Sequence, residues 1–206
     1  MKPLLKISLL FLLQILYIPA FTQQNWSLKK DKNGIKIYTA GIDSSKFKMV
    51  KVECEFDGNF QKLISIMKDV DNHKDWVYAT KKSYTLTKIN DDEIIYYLET
   101  SLPWPMNNRD AIIDLRVEED TTKNLLTITT TALPHYIADK KGIVRIPSLV
   151  ASYNVNATAA NKIHIVYYLR VDPGGNAPAW VVNLFADKGP YETFKSLADL
   201  LKRTGN

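Results

Sequence analysis

The sequence has few of the residues that build metal centres and disulfide-bonded domains. Its 206 residues include one cysteine, Cys54, and three histidines. A single cysteine excludes an internal disulfide, and we expect Cys54 to pack as a small hydrophobic side chain. His73, His135 and His164 are too scattered along the chain to form a metal site or a base with its orienting partner. We therefore expect no metal and no cofactor.

Catalytic motifs and long basic stretches are missing as well. The chain contains neither a Gly-x-Ser-x-Gly elbow nor a phosphate-binding loop, and the acidic run at 91–93 is interpreted as a solvated hairpin turn. These absences predict that the protein is not an enzyme. The formal net charge is only +5, and the lysines form separate pairs. Because nucleic-acid surfaces need a continuous basic stripe, we expect no nucleic acid as a partner.

The first residues have the pattern of a secretory signal. Lys2 and Lys6 precede an apolar run at 7–18, and small residues follow it. The run is shorter than the ~20 residues that cross a bilayer. We therefore interpret 1–22 as a cleaved signal peptide and 23–206 as the mature domain, which would be periplasmic or secreted. A membrane anchor is the alternative interpretation of the run.

The remaining chain predicts one α+β domain that is rich in strands. Alternating apolar residues indicate strands at 35–39 and 47–56, and helical spacing predicts a helix over 59–70 with a short turn of helix at 73–76. Six further strand candidates follow with only tight turns between them. They span 82–89, 94–102, 109–119, 125–133, 143–157 and 162–171. An uninterrupted series of this kind favours an antiparallel meander.

A long helical pattern ends the chain. The breaker at 172–175 precedes a segment from Pro178 to about Thr204, and its apolar stripe must be buried against the sheet. Proline removes a backbone hydrogen bond, so Gly189-Pro190 predicts a kink within this segment. A curved sheet closed by one kinked helix leaves room for an internal cavity.

Strand parity indicates which side chains face this cavity, because residues of one parity share one face of a sheet. The predicted ligand-binding residues are Tyr96, Leu98, Arg109, Ala111, Ile113, Leu115, Ile128, Ile165, Tyr167 and Leu169 on strands, with Phe185 on the terminal segment. Both parities of the 143–157 strand are equally apolar, so its faces stay unassigned. The Arg109 guanidinium could hold a ligand's polar head group or form a structural ion pair with Asp110 or another acid.

Three motifs resemble landmarks of START domains. They are PWPMNNRD at 103–110, RIP at 145–147 and DPGGNAPAWVVN at 172–183. The resemblance covers 26–203 and implies the helix-grip (START/Bet v 1-like) fold, in which a curved antiparallel sheet wraps a long C-terminal helix around an apolar cavity. It also implies a monomer that binds a lipid or another hydrophobic small molecule and carries or transfers it. It implies no reaction.

One departure from the family concerns the cavity. Sterol-binding members often pair an arginine, six residues after the arginine of the RD motif, with a glutamate on the neighbouring strand. Here those positions are Leu115 and about Tyr96. Losing both charges is physically coherent, since losing one would leave the other buried and unpaired. The expected pocket is therefore more apolar than usual, and Arg116 could restore the pair only through a β-bulge.

Two other functions stay open on the same fold, namely a polyketide cyclase-like enzyme and a ligand-responsive interaction module. By resemblance, the movable parts near the cavity mouth are 102–108, 134–142 and the terminal helix. Trp104, Lys140 and Lys141 then predict transient contact with a membrane surface. In the competing interpretation, Trp104 and Trp180 pack on each other as a lid.

The signal interpretation predicts cleavage close to Thr22 and Gln23. N-terminal sequencing of protein recovered from the periplasm or the medium checks this expectation. An intact Met1 on protein found in the membrane fraction would contradict it.

Overall fold

The computed structural model describes residues 24–42, 45–178, 181 and 184–203. The expected signal segment and Trp180 lie outside the described residues. Within these ranges the chain forms a curved sheet that packs around a C-terminal helix, and the predicted helix-grip fold is confirmed.

Ten strands make up the sheet in the described part of the chain. They are β1 (Ser27–Lys32), β2 (Ile35–Ile42), β3 (Ser45–Asp57), β4 (Thr80–Lys88), β5 (Glu93–Thr100), β6 (Arg109–Asp120), β7 (Leu125–Ala132), β8 (Val144–Arg145), β9 (Ser148–Ala159) and β10 (Lys162–Asp172). Strand β1 was not predicted from the sequence. The expected strand at 143–157 is divided into β8 and β9 at Pro147, which has no N–H to donate to a neighbouring strand.

The helical elements connect and close the sheet. They are α1 (Phe60–Lys68), a 3₁₀ helix (Val70–Asp75), a π-helical turn (Leu184–Lys188) and α2 (Gly189–Arg203). At Gly189-Pro190, where the sequence predicts a kink, the π-helical turn ends and α-helix begins. Pro190 lies in the first turn of α2, and it has no N–H to donate to the carbonyls of the π-helical turn before it.

The strands run in the order β1-β2-β3-β10-β9-β7-β6-β5-β4, and each neighbouring pair is antiparallel. Strand β8 adds a short parallel pairing with the start of β6. After β3 the chain crosses through α1 and the 3₁₀ helix to β4 at the far edge of the sheet. This crossing brings helical residues to the same side of the sheet as α2.

The main core lies between the concave face of the sheet and α2. The stripe expected on the terminal helix is buried there, with Phe194, Leu197 and Leu201 each 1% exposed. A fully buried side chain of this kind contributes about 1.5–3 kcal/mol to folding. Strand residues from both halves of the sheet join the same cluster, so one helix stabilises the whole curve.

The convex face also carries a small core, which the sequence did not predict. Ile95, Tyr97 and Ile112 are buried there beneath the segment that follows β7. The Lys140 Nζ lies 3.6 Å from the centroid of the Tyr97 ring and donates a hydrogen bond of 2.9 Å to the Tyr84 hydroxyl. The segment at 134–142 is therefore attached to the convex face.

Gly174 shows why the DPGG turn contains glycine. Its φ is +73°, and a Cβ atom would come within 2.9 Å of the Arg145 carbonyl oxygen. Gly34 has nearly the same φ of +74°, but a Cβ atom there would meet nothing within 4 Å. The two glycines separate the effect of backbone conformation from that of a close contact.

We expect Gly174→Ala to cost more stability than the matched Gly34→Ala. Both changes pay about 1–2 kcal/mol for the left-handed backbone, and Gly174→Ala adds about 1–3 kcal/mol for the forced contact with the Arg145 carbonyl. Urea unfolding of both variants measures the difference. Equal losses would show that the Arg145 strand moves aside without cost.

Candidate functional site

A cavity of about 160 Å³ lies between the concave face of the sheet and α2. Strands β5, β6, β7, β9 and β10 form its floor, and α1, the residues that follow it, the π-helical turn and α2 form its walls. None of the described residues that line it is Asp, Glu, Lys or Arg. The cavity is therefore apolar and aromatic, with hydroxyl groups as its main polar component.

Six of the predicted ligand-binding residues line the cavity, five of them on strands and one on the terminal segment. They are Tyr96, Leu98, Ile113, Tyr167, Leu169 and Phe185. Whether they contact a ligand stays a prediction. They lie together because β5, β6 and β10 each bury one face beneath α2.

Five predicted residues lie elsewhere. Ala111, Leu115, Ile128 and Ile165 are 0% exposed and belong to the packed core beside the cavity. Their parity identifies the correct face, but the cavity occupies only part of that face. A larger side chain at Leu115 would therefore overpack the core instead of filling the cavity.

Arg109 is the fifth, and it is not among the described residues that line the cavity. Its side chain is buried, and its guanidinium donates hydrogen bonds to the carbonyl oxygens of Asn107 at 2.6 Å and Pro173 at 3.3 Å. The partners that the structure gives its guanidinium are backbone carbonyls, so its described contacts are structural, and contact with a ligand stays a prediction. The guanidinium holds the loop before β6 against the turn after β10.

Arg116 does not restore the absent ion pair. Strands β5 and β6 pair without a register shift from Glu93↔Arg116 to Thr100↔Arg109. Arg116 is consequently directed outward, and its Nη2 lies 2.8 Å from Asp114 and 3.0 Å from Glu93. The two positions of the expected ion pair are therefore held by the uncharged side chains of Tyr96 and Leu115. Tyr96 lies opposite Ile113 in the strand pairing.

The sequence did not identify two groups of cavity residues. The first comes from α1 and the residues after it, namely Met67, His73, Trp76, Val77 and Tyr78. The second comes from β7, β9 and α2 and includes Thr130, Leu149, Tyr153, Thr193 and Phe194. Tyr153 lies directly opposite Tyr167 in the β9–β10 pairing. That register assigns the face of β9, which parity alone left open.

The polar groups of the cavity are held in their neutral forms. Burial lowers the pKa of His73 to about 4, and its Nε2 lies 3.0 Å from the Met67 carbonyl oxygen. Because a carbonyl only accepts, Nε2 carries the proton of the neutral ring. Burial raises the pKa of Tyr96, Tyr153 and Tyr167 above the ordinary tyrosine value. At neutral pH the described lining therefore carries no net charge.

One wall of the cavity is a seam between the residues after the 3₁₀ helix and the start of α2. The Tyr78 N–H donates a hydrogen bond of 3.1 Å to the Thr193 Oγ1. Lys188 Nζ lies 5.4 Å from the centroid of the Tyr78 ring. These contacts are few and partly exposed, so the seam is weaker than the sheet it joins.

The three motifs noted in the sequence meet in one polar cluster outside the cavity. Arg145 donates hydrogen bonds to both carboxylate oxygens of Asp110, at 2.7 and 3.2 Å. The same guanidinium donates to the carbonyl oxygens of Pro134 and Ile137 at 2.7 and 3.1 Å. Together with the Arg109 contact to Pro173, these bonds connect three loops at one end of the sheet.

Cys54 lies in the packed core and is not among the described residues that line the cavity. Cys54 is buried, and burial raises the pKa of its thiol. Among the residues that the structure describes, no three His, Cys, Asp or Glu side chains are grouped to hold a metal ion. The described helices also include none that is long and apolar enough to cross a membrane.

Sheet, terminal helix and cavity together define a helix-grip domain. The family model of the START domain matches residues 18–205. The chain therefore belongs to the START domain family, and the resemblance noted in its motifs is confirmed.

Two curated relatives cover most of the chain. A protein of Pseudomonas aeruginosa is 27% identical over 174 residues, which is 84% of this chain and 85% of that protein. The mouse phosphatidylcholine transfer protein is 25% identical over 183 residues, which is 87% of this chain and 85% of that protein.

A solved structure gives a close structural match. The STAR-related lipid transfer protein fragment from Xanthomonas axonopodis superposes with a TM-score of 0.79 at 29% identity, covering 86% of this chain and 99% of that fragment. Human StAR-related lipid transfer protein 5 has a TM-score of 0.73 at 16% identity, covering 88% of each chain. At that lower identity the likeness shows the fold alone.

The polar cluster predicts that Arg145→Met is strongly destabilising. The change leaves Asp110, whose side chain is 1% exposed, as a buried charge without its partner, which costs about 3–5 kcal/mol. Lys162→Met is the matched control, because its ion pair with Glu55 is about half exposed on both sides and contributes at most about 1 kcal/mol. Chemical denaturation measures both variants. Similar losses in the two would contradict the role given to Arg145.

Proposed function

We propose that this protein binds a hydrophobic, lipid-like ligand in the cavity and carries or transfers it without changing it chemically. The observation that carries the proposal is the aromatic cavity, whose described lining contains no charged side chain. Relatives with the same fold are named for lipid transfer in Xanthomonas and for phosphatidylcholine transfer in the mouse. Burial of each methylene contributes about 0.8 kcal/mol before the cost of association is subtracted.

The size of the cavity implies that uptake requires opening. Its volume of about 160 Å³ is below the ~300–1,000 Å³ of typical ligand pockets. A lipid tail must therefore displace part of a wall. The seam between Tyr78 and Thr193 is the wall with few bonds to break, so we infer that α2 and the residues after the 3₁₀ helix separate there.

The 134–142 segment is not part of this opening. It lies on the convex face, where Lys140 contacts Tyr97 and Arg145 donates hydrogen bonds to the carbonyls of Pro134 and Ile137. No residue of the segment lines the cavity in the described part of the chain. We therefore propose that the cavity opens at the Tyr78–Thr193 seam and not at this loop.

Transient membrane contact belongs to the same proposal. Trp104 is 92% exposed and lies in the loop after β5, whose last residue, Thr100, lines the cavity. Trp180, its expected partner in a lid, lies outside the described residues. Tryptophan is favoured at the boundary between water and lipid, and the exposed Lys141 would add attraction to anionic head groups. Lys140 is already engaged by Tyr84 and Tyr97 and makes a smaller contribution.

Export and a monomeric state complete the proposal. The signal-like segment at 1–22 supports delivery to the periplasm or the medium. A carrier in that compartment would pick up and release its ligand at membrane surfaces.

Turnover of a polyketide-like substrate by the purified protein would favour the cyclase alternative instead.

Filling the cavity should prevent binding. We expect Leu98→Trp to reduce uptake of a hydrophobic probe such as diphenylhexatriene by at least tenfold, because Leu98 lines the cavity and the indole would occupy much of about 160 Å³. Overpacking would also cost about 1–3 kcal/mol of stability, so circular dichroism must show that the variant is folded. Fluorescence titration measures the uptake.

Val150→Trp is the matched control for this change. Val150 is 51% exposed on β9 and does not line the cavity, so the added indole should leave uptake unchanged. If folded Leu98→Trp protein takes up the probe as well as the Val150→Trp protein does, the cavity is not the binding site.

A further inference from the structure

Three tyrosines from separate strands converge at one place in the cavity. Tyr153 on β9 and Tyr167 on β10 lie opposite each other with ring centroids 4.5 Å apart, and Tyr96 reaches the same space from β5. The pKa of Tyr96 is raised first by burial and then by Tyr153, while that of Tyr167 is raised by burial and by both other tyrosines. Because the rings of Tyr153 and Tyr167 are in contact and Tyr96 lines the same cavity, the three side chains share one space.

These hydroxyl groups have unused hydrogen-bonding capacity. Among the described residues, no side-chain hydrogen bond joins any of the three hydroxyl groups to another protein group, and all three tyrosines line the cavity. Tyr96 and Tyr153 are nevertheless buried, with 5% and 8% of their surface exposed. A phenol both donates and accepts, so the group can serve either a hydroxyl or a carbonyl oxygen. Buried polar groups normally find partners, and the space they share is the cavity itself.

Anionic head groups find no partner at this place. The described lining contains no Lys or Arg to neutralise a carboxylate or phosphate. His73 is uncharged at neutral pH, and its Nε2 already donates to the Met67 carbonyl. Arg109, which could have received an anion, is bonded to Asn107 and Pro173 outside the cavity. A carboxylate or phosphate inside the cavity would be buried without compensation.

We propose that the cluster of Tyr96, Tyr153 and Tyr167 binds an uncharged hydroxyl or carbonyl group at the buried end of the hydrophobic ligand. This inference rests on the proposed function, since it requires that a ligand enters the cavity. Selectivity then comes from hydrogen bonds between neutral groups and from exclusion of anions, since the described lining has no Lys or Arg.

The test compares probes that differ in one end group. Diphenylhexatriene, a hydrocarbon, reports occupation of the cavity by its fluorescence, and octan-1-ol, octan-2-one and octanoate compete with it. Dioctanoylglycerol adds ester carbonyls, which distinguishes a glycerolipid source of the carbonyl from a single-chain one. The variants are Tyr153→Phe, Tyr167→Phe and their combination, which remove hydroxyl groups and keep the rings. Tyr97→Phe is the matched control, because Tyr97 is 0% exposed on the convex face.

The expected result is a preference for the neutral polar probes that depends on the hydroxyl groups. Octanol or octanone should displace the reporter at least tenfold more effectively than octanoate. Each Tyr→Phe change should weaken this competition by about fivefold, which corresponds to one hydrogen bond. The affinity for diphenylhexatriene is measured for every variant so that competition is expressed relative to it, and Tyr97→Phe, which lies outside the cavity, should match the parent for every probe.

Two results would overturn the inference while leaving the proposed function intact. In the first, octanoate competes as well as octanol. In the second, the double variant retains the preference of the parent for octanol. Failure of the parent protein to bind diphenylhexatriene would be a different outcome, since it would overturn the proposed function and this inference together.

Discussion

A single helix, α2, packs against the concave face of a ten-stranded sheet and covers only part of that face. The cavity exists because this coverage is incomplete. Phe194, Leu197 and Leu201 fill the region next to α2, and each is 1% exposed. The strands curve farther than one helix can cover, so α1 and the residues after it close the rest from the opposite edge. The two coverings meet at the Tyr78–Thr193 seam without filling the space beneath it. The cavity is this unfilled space, and the seam is its weakest wall.

The charged residues of the three sequence motifs lie outside the cavity lining. Arg109, Asp110 and Arg145 tie the loops at one end of the sheet, and Gly174 lets the DPGG turn approach the Arg145 carbonyl. Buried charges are stable there because each has a partner with fixed geometry. The described lining of the cavity lacks such charges and carries neutral polar groups instead.

Much of the fold could be predicted because β5, β6 and β10 alternate cleanly, but alternation gives a face and not a position along it. Leu115 and Ile165 have the right parity and still lie in solid core, while Arg109 lies at the strand end and bonds to carbonyls. The face of Tyr153 was undecidable because β9 is apolar on both sides, and pairing with β10 decides it. His73 and Tyr78 enter the cavity through tertiary packing of the crossing segment, for which a single sequence offers no periodic signal. The burial of Tyr97 under Lys140 joins residues 43 positions apart, and local pattern says nothing about such contacts.

The central claim is that the cavity holds a hydrophobic ligand in the protein's own setting. Native mass spectrometry of the protein purified from its host, followed by solvent extraction and identification of the released molecules, tests this most directly. The account predicts a recurrent adduct of up to one molecule per chain that is hydrophobic and carries no charge at its buried end. A protein of similar size and compartment, purified in the same way, provides the background. An extract that contains nothing beyond this background, from protein that also fails to take up added lipid, would contradict the account.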